Sequence, residues 1–272
     1  MMRLQVRHET TYDYDAPVGW GLQQLRLTPK ATRAQRVLGW AVTVEGGRVE
    51  LEFDDHHRNR VQLVSFEPGA TRLRVLAEGE VEVEDAAGVL GPHGGFAPLW
   101  LFERATPRTE AGPGCRALVD RVSGEPNSLF RLHDLSAAIA DAVEWTDGSG
   151  DVARGAEAAI TAGKGVCQDQ AHVLIACARA MGIPARYVSG YLRLDGKDEA
   201  DATHAWAEAW VPDLGWVGFD VANRMSPDGR YVRVATGLDY AEAAPVSGAR
   251  RGTGGETLTV RVHVSASGET SP

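Results

Sequence analysis

Residues 162–192 read AGKGVCQDQAHVLIACARAMGIPARYVSGYL, and this stretch decides the fold. Between Ala171 and Met181 the only strongly polar residues are His172 and Arg179. One apolar stripe runs Cys167, Ala171, Leu174, Ala178 and Met181, and a second runs Val173, Ala176, Cys177 and Ala180. A helix that is apolar nearly all round is a buried one. The pattern therefore predicts a central helix from about Val166 to Met181, ended by Gly182 with Pro184 blocking any continuation. ARYVSGYLRL follows as a strand.

Cys167 would stand in the first turn of that helix. Unpaired N–H groups and a partial positive charge there favour a thiolate, the nucleophilic form of cysteine. The same donors can stabilise an oxyanion on a substrate carbonyl. A buried, inert cysteine is the competing reading, and the helix alone does not choose between them. Cys177, mid-helix among apolar residues, reads as packing. Cys115, in GPGCRALV, has no catalytic context.

A nucleophilic cysteine needs an imidazole, and the imidazole needs a third group to orient it. Of eight histidines, His204 stands out, at the start of the strand HAWAEAW after the polar loop DGKDEADAT. His56 and His57 read as solvated loop residues, His93 as part of a linker, and His133 and His172 as packed or surface helix residues. Asp220 ends the next strand, GWVGFD. A three-residue loop, Pro212–Leu214, pairs Val211 with Gly215 and sets Asp220 opposite Trp206. Asp220 and His204 then become diagonal neighbours on one sheet face, roughly 7 Å apart. A two- or four-residue loop puts them on opposite faces and makes Asn223 the orienter instead. Gly215 suits the positive-φ end of a three-residue loop.

Upstream, residues 3–85 read as six or seven strands without helical period, which suggests an antiparallel sandwich or small barrel. LGWAVTVE and RVELEFD flank Gly46-Gly47 and are expected to form a hairpin. GVLGPHGGFAPLW breaks the pattern. Helical texture follows in SLFRLHDLSAAIADAVEWT and DVARGAEAAITAGKG. APVSGARRGTGG reads as a flexible linker, and ETLTVRVHV as a closing strand.

The motifs GKGVCQDQAHVLIACARAMGIPARYVSGYL and THAWAEAWVPDLGWVGFDVANR strongly resemble the core of bacterial transglutaminase-like proteins, within the papain-like cysteine fold. HETTYDYDAPV, LRLTPK and QRVLGW resemble that family's N-terminal β domain. The resemblance implies an α+β chain: an antiparallel β-sandwich-like domain over residues 1–90, a papain-like core over 91–244 with its buried helix packed on an antiparallel sheet, and a linker with a terminal strand over 245–272. It implies a Cys167, His204 and Asp220 triad. Gln168 and Trp206 are the candidates for oxyanion or substrate contacts. Where the family commonly has Pro-Thr after the aspartate, this chain has Val221-Ala222, which could shift the Asp220 backbone slightly.

The expected chemistry is acyl transfer from an amide through a thioester, with hydrolysis of a peptide or protein amide preferred. Transamidation, small-molecule acyl transfer, and a binding protein on a retired core are the alternatives. The chain has 272 residues and a net charge of −9, without the basic footprint of a nucleic-acid or membrane binder. Three cysteines, no CxxC pair and no apolar N-terminal run point to a reducing cytoplasm, with no metal and no cofactor expected. No apolar stretch approaches the roughly 20 residues of a membrane span. A homo-oligomer is left open.

Overall fold

The computed structural model describes residues 1–122, 124, 128–147, 153–194, 199–200, 203–252 and 254–267. Six strands come first: β1 (Met2–Tyr14), β2 (Trp20–Leu25), β3 (Gln35–Glu45), β4 (Gly47–Asp54), β5 (Arg60–Phe66) and β6 (Arg72–Val83). Next come β7 (Val89–Gly91), α1 (Pro113–Arg121), α2 (Leu129–Ala142), β8 (Glu144–Trp145), α3 (Ala156–Ala162), β9 (Lys164–Gly165) and α4 (Cys167–Ala180). The chain continues through β10 (Ala185–Leu192), β11 (Glu199–Ala200), β12 (His204–Val211), β13 (Gly215–Phe219) and β14 (Tyr231–Gly237). It closes with α5 (Tyr240–Ala243), β15 (Val246–Arg251) and β16 (Glu256–Ala266).

The N-terminal strands form a sandwich. A sheet of order β11-β16-β1-β6-β3 faces one of order β15-β2-β5-β4. Leu25, Val64, Leu73, Val75 and Ala77 fill the space between them. Alternation along β1 and β6 dictates this, because inward residues recur at every second position.

Two expectations fail here. β3 and β4 do not pair as a hairpin; they lie in different sheets. Gly46, at φ 80°, turns the chain across the sandwich, and a Cβ there would lie 2.0 Å from the Arg72 carbonyl oxygen. A tight glycine turn serves a sheet-to-sheet crossing as well as a hairpin, so the dipeptide alone misleads. The expected linker is also partly strand: Val246–Arg251 pairs along the whole of β2. Its small residues suit close approach, since a Cβ on Gly248 would meet the Leu22 carbonyl oxygen at 2.3 Å. Backbone pairing on a sheet edge needs no apolar signal.

The core sheet has order β14-β10-β12-β13-β7. Helix α4 lies between it and α1, α2 and α3. Val173, Leu174, Ile175, Ala176 and Cys177 are wholly buried. Each large aliphatic side chain there contributes about 1.5–3 kcal/mol by leaving water. Arg179 is held by the Phe102, Ala185 and Leu238 carbonyls and the Thr109 hydroxyl. A buried guanidinium thus ties the helix to loops on three sides. Gly182, at φ 72°, ends the helix as expected.

α1, with no clear periodic signal, is nucleated from afar. Glu157 on α3 accepts from the Gly112, Gly114 and Cys115 N–H groups. A carboxylate at a helix N-terminus satisfies orphan donors and complements the dipole. The shorter helix expected within 151–165 spans Ala156–Ala162; residues 151–152 lie outside the described residues.

Candidate active site

Three elements converge on one place. Cys167 is the first residue of α4 and is partly exposed. Asp169 folds back so that its carboxylate accepts the Val166 N–H at 3.1 Å, which fixes the start of the helix. Gly165 makes room, since a Cβ there would lie 2.6 Å from that carboxylate oxygen. Lys164–Gly165 pairs in parallel with Glu144–Trp145. Trp145 remains half exposed, two residues in pairing register from the cysteine.

The hairpin β12–β13 brings in the other two residues. Val211 pairs with Gly215, Gly215 has φ 84°, and the loop is the three-residue one expected. Regular pairing stops at Ala207↔Phe219, and Asp220 then bridges to Met225. His204 Nε2 lies 2.6 Å from Asp220 Oδ2. The change to Val221-Ala222 leaves that contact intact.

Asn223, the rival orienter of the other register, works alongside Asp220 rather than in its place. Its side-chain amide donates to Asp220 Oδ2 at 2.7 Å, and its backbone N–H to Oδ1 at 3.2 Å. The Tyr231 hydroxyl, from β14, donates to Oδ2 at 2.7 Å. Tyr231 was not legible as a site residue, because a contact between β13 and β14 follows no local spacing rule.

Trp206 is buried against the site. Its ring stacks at 6.2 Å on the His204 imidazole and lies edge-on to Tyr231. Gly190, the cross-strand partner of His204, admits that ring, and a Cβ there would meet it at 2.7 Å. Gln168 adjoins Cys167, and its Nε2 is buried without a hydrogen-bond partner. The loop before His204 lies partly outside the described residues, at 195–198 and 201–202.

The electrostatics follow from this packing. Burial alone would lower the His204 pKa, but the charges of Cys167 and Asp220, with hydrogen bonds to both, raise it to about 10. Burial alone would raise Asp220, but His204 and the donors from Asn223 and Tyr231 hold it below the usual carboxylate range. Asp220 occupies Nε2, so Nδ1 is the imidazole nitrogen left for the thiol.

The remaining candidates lie elsewhere. Cys177 Sγ contacts the Cys115 carbonyl at 3.6 Å, and both residues are wholly buried. The Cys177 thiol and burial push the Cys115 thiol up. His172 is buried against Tyr187, and burial pushes its pKa down to about 3. His57, expected in solvent, is buried and 2.7 Å from Glu242. His93 accepts from the Trp216 indole N–H at 3.1 Å. Among the described residues, no helix is long and apolar enough to cross a membrane.

Residues 116–221 match the transglutaminase-like superfamily, and residues 4–82 match the bacterial transglutaminase-like N-terminal region. An uncharacterised protein of Mycobacterium tuberculosis is 31% identical, over 90% of this chain and 87% of its own. A protein-glutamine gamma-glutamyltransferase of Pseudomonas aeruginosa is 37% identical over 87 residues, 29% of this chain and 12% of that one. The crystal structure of a candidate cysteine protease from Cytophaga hutchinsonii superposes with a TM-score of 0.78 at 22% identity. That likeness covers 100% of this chain and 92% of the other, and it extends to the fold.

Proposed function

The chain belongs to the transglutaminase-like superfamily, and from that premise we propose that it hydrolyses peptide or amide bonds with Cys167, His204 and Asp220. One observation carries the reading: the 2.6 Å bond from His204 Nε2 to Asp220, which leaves Nδ1 for a cysteine at the head of a 14-residue helix.

In this mechanism His204 takes the thiol proton and Cys167 attacks the amide carbonyl as a thiolate. The tetrahedral oxyanion lies against the first-turn N–H groups of α4, with the unpartnered Gln168 amide as a second donor. The imidazolium returns the proton to the leaving amine as the C–N bond breaks. A thioester remains on Cys167. His204 then takes a proton from water, which attacks the thioester and releases a carboxylic acid and the thiol. Asp220 holds the imidazole in one orientation and stabilises its charge. Trp206 backs the ring from the sheet side.

Transamidation is the second reading, favoured by the match to the Pseudomonas aeruginosa gamma-glutamyltransferase. It uses the same thioester but resolves it with an amine. Hydrolysis is preferred because water needs no second binding site. Three free cysteines support a reducing, cytoplasmic setting.

Limiting iodoacetamide followed by adduct mapping tests the nucleophile. Cys167 should label first, and His204→Ala should remove that preference. Equal labelling of Cys115, Cys167 and Cys177 would sink the assignment. A peptide-amide library with and without added amine then separates hydrolysis from transfer.

A further inference from the structure

A cavity of about 600 Å³ opens away from the candidate triad, where the sandwich meets the core sheet. Its walls come from the segment Thr28–Arg33, the turn at His56–Arg58, and β10, β13 and β14. Lys30, Arg186 and Arg233 line it together.

The charge inside is unbalanced. Glu208, wholly buried, pairs with Arg186 at 2.5 Å and with Arg233 at 2.6 Å, so one carboxylate serves two guanidinium groups. Lys30 adds a third cation. Its ammonium donates to the His57 carbonyl at 2.6 Å and the Thr236 hydroxyl at 2.8 Å, both neutral. Those acceptors account for two of its three donors. Asp55, the next carboxylate, lies 3.5 Å from Arg26. Arg33, Arg58 and Arg60 add positive charge at the rim, where Asp54 faces Arg60 at 3.1 Å. This surplus sits in a chain whose net charge is −9. Burial and the two arginines push the Lys30 pKa well down, which is the cost of gathering cations without an anion. The Arg186 guanidinium also lies 3.8 Å above the Trp216 ring, so its plane is held before any ligand arrives.

We propose that this cavity binds a small anion bearing phosphate or carboxylate groups, held by Lys30, Arg186 and Arg233. Planar guanidinium groups and a flexible ammonium are the side chains that recognise such oxyanions. A metal ion fits the place poorly. His56, His57 and Glu242 bring ligand atoms within 4.8 Å of one another, but the same loop bears the Lys30 ammonium on the His57 carbonyl. A dication would meet the surplus positive charge, and an anion relieves it.

Calorimetric titration with inorganic pyrophosphate and with citrate, at matched low ionic strength, tests the site. Saturable binding of one equivalent is expected, with a rise in melting temperature. Binding of pyrophosphate alone assigns a phosphate ligand, and of citrate alone a carboxylate one. Lys30→Met should weaken binding about tenfold, the loss of one charge-assisted contact. Should that variant fail to fold, Arg33→Glu at the exposed rim should weaken binding in the same direction. No binding of either probe overturns the proposal, as does binding by Lys30→Met and Arg33→Glu as tight as that of the unaltered protein, or binding of zinc in preference to both anions. Cys167→Ala should bind the anion unchanged, so failure here is separate from failure of the proposed hydrolysis.

Discussion

Strand β12 carries two charged side chains four residues apart on one face, and they meet opposite fates. Glu208 is wholly buried, and both its oxygens are taken up by Arg186 and Arg233. His204 has one ring nitrogen engaged by Asp220, while its side chain keeps 15% of its surface exposed. Each site pairs a carboxylate with a cation. In the first, the carboxylate is saturated, with both oxygens occupied by guanidinium donors. The second is held on one side and open on the other, which is what proton transfer requires. Under the proposed function, reactivity comes from an incomplete shell of partners, since burial and charge are common to both.

Substitution at the two positions should separate activity from stability, and this is the largest expected effect. His204→Ala should lower kcat/KM on an amide substrate by about 10⁴-fold in the folded protein, far more than its shift of the urea midpoint accounts for. Glu208→Gln should do the reverse. It leaves two buried guanidinium groups without their carboxylate, for a loss of about 3–5 kcal/mol, with activity retained in the folded fraction. A Glu208→Gln protein of normal stability and no activity would break the comparison.

The two ends should also titrate in opposite windows. Burial would raise Glu208, but Arg186 and Arg233 lower its pKa to about 2, from an ordinary 4.5. Its contribution is present above pH 4.5 and is lost as pH falls through about 2. His204 is raised to about 10 from 6.5, so its contribution is present below pH 6.5 and is lost as pH rises through about 10. Urea melts across pH should show both limbs. Cys167→Ala removes one of the charges that raise His204, so it should flatten the alkaline limb alone, and Glu208→Gln the acid limb alone. An alkaline limb unchanged by Cys167→Ala would disconnect the cysteine from the imidazole.

The open site was more legible than the closed one, for a physical reason. A helix apolar on every side announces burial, so α4 and the place of Cys167 followed from residues 162–192. A three-residue loop ending at Gly215 would set His204 and Asp220 on one face, but Asn223 stayed the rival orienter, and the family resemblance is what implied Asp220. Contacts made across elements left no such trace. Arg186, Glu208 and Arg233 come from three strands and carry no shared spacing. Glu157 caps α1 from 42 residues beyond Cys115. β15 hid behind glycine and serine, because edge pairing recruits backbone rather than side chains. The Gly46-Gly47 turn shows the converse: a correct turn signal with the wrong partner, since local chemistry bends the chain without naming the sheet it enters.

Tyr231 tests how far the incomplete shell depends on such an invisible contact, and its effect should be the smallest. Its hydroxyl is one of three side-chain donors on Asp220 Oδ2, with His204 and Asn223. Tyr231→Phe keeps the ring that packs on Trp206 and removes only that donor. A hydrogen bond to a charged group is worth about 1.5–3 kcal/mol, and the two remaining donors should compensate in part, so a loss of about tenfold in kcat/KM is expected. Fewer donors favour the neutral acid, so the Asp220 pKa should rise and the acid limb of the rate profile should move to higher pH. Unchanged activity with an unchanged profile would mean that His204 and Asn223 suffice to fix the carboxylate, and that the oriented side of the site closes without β14.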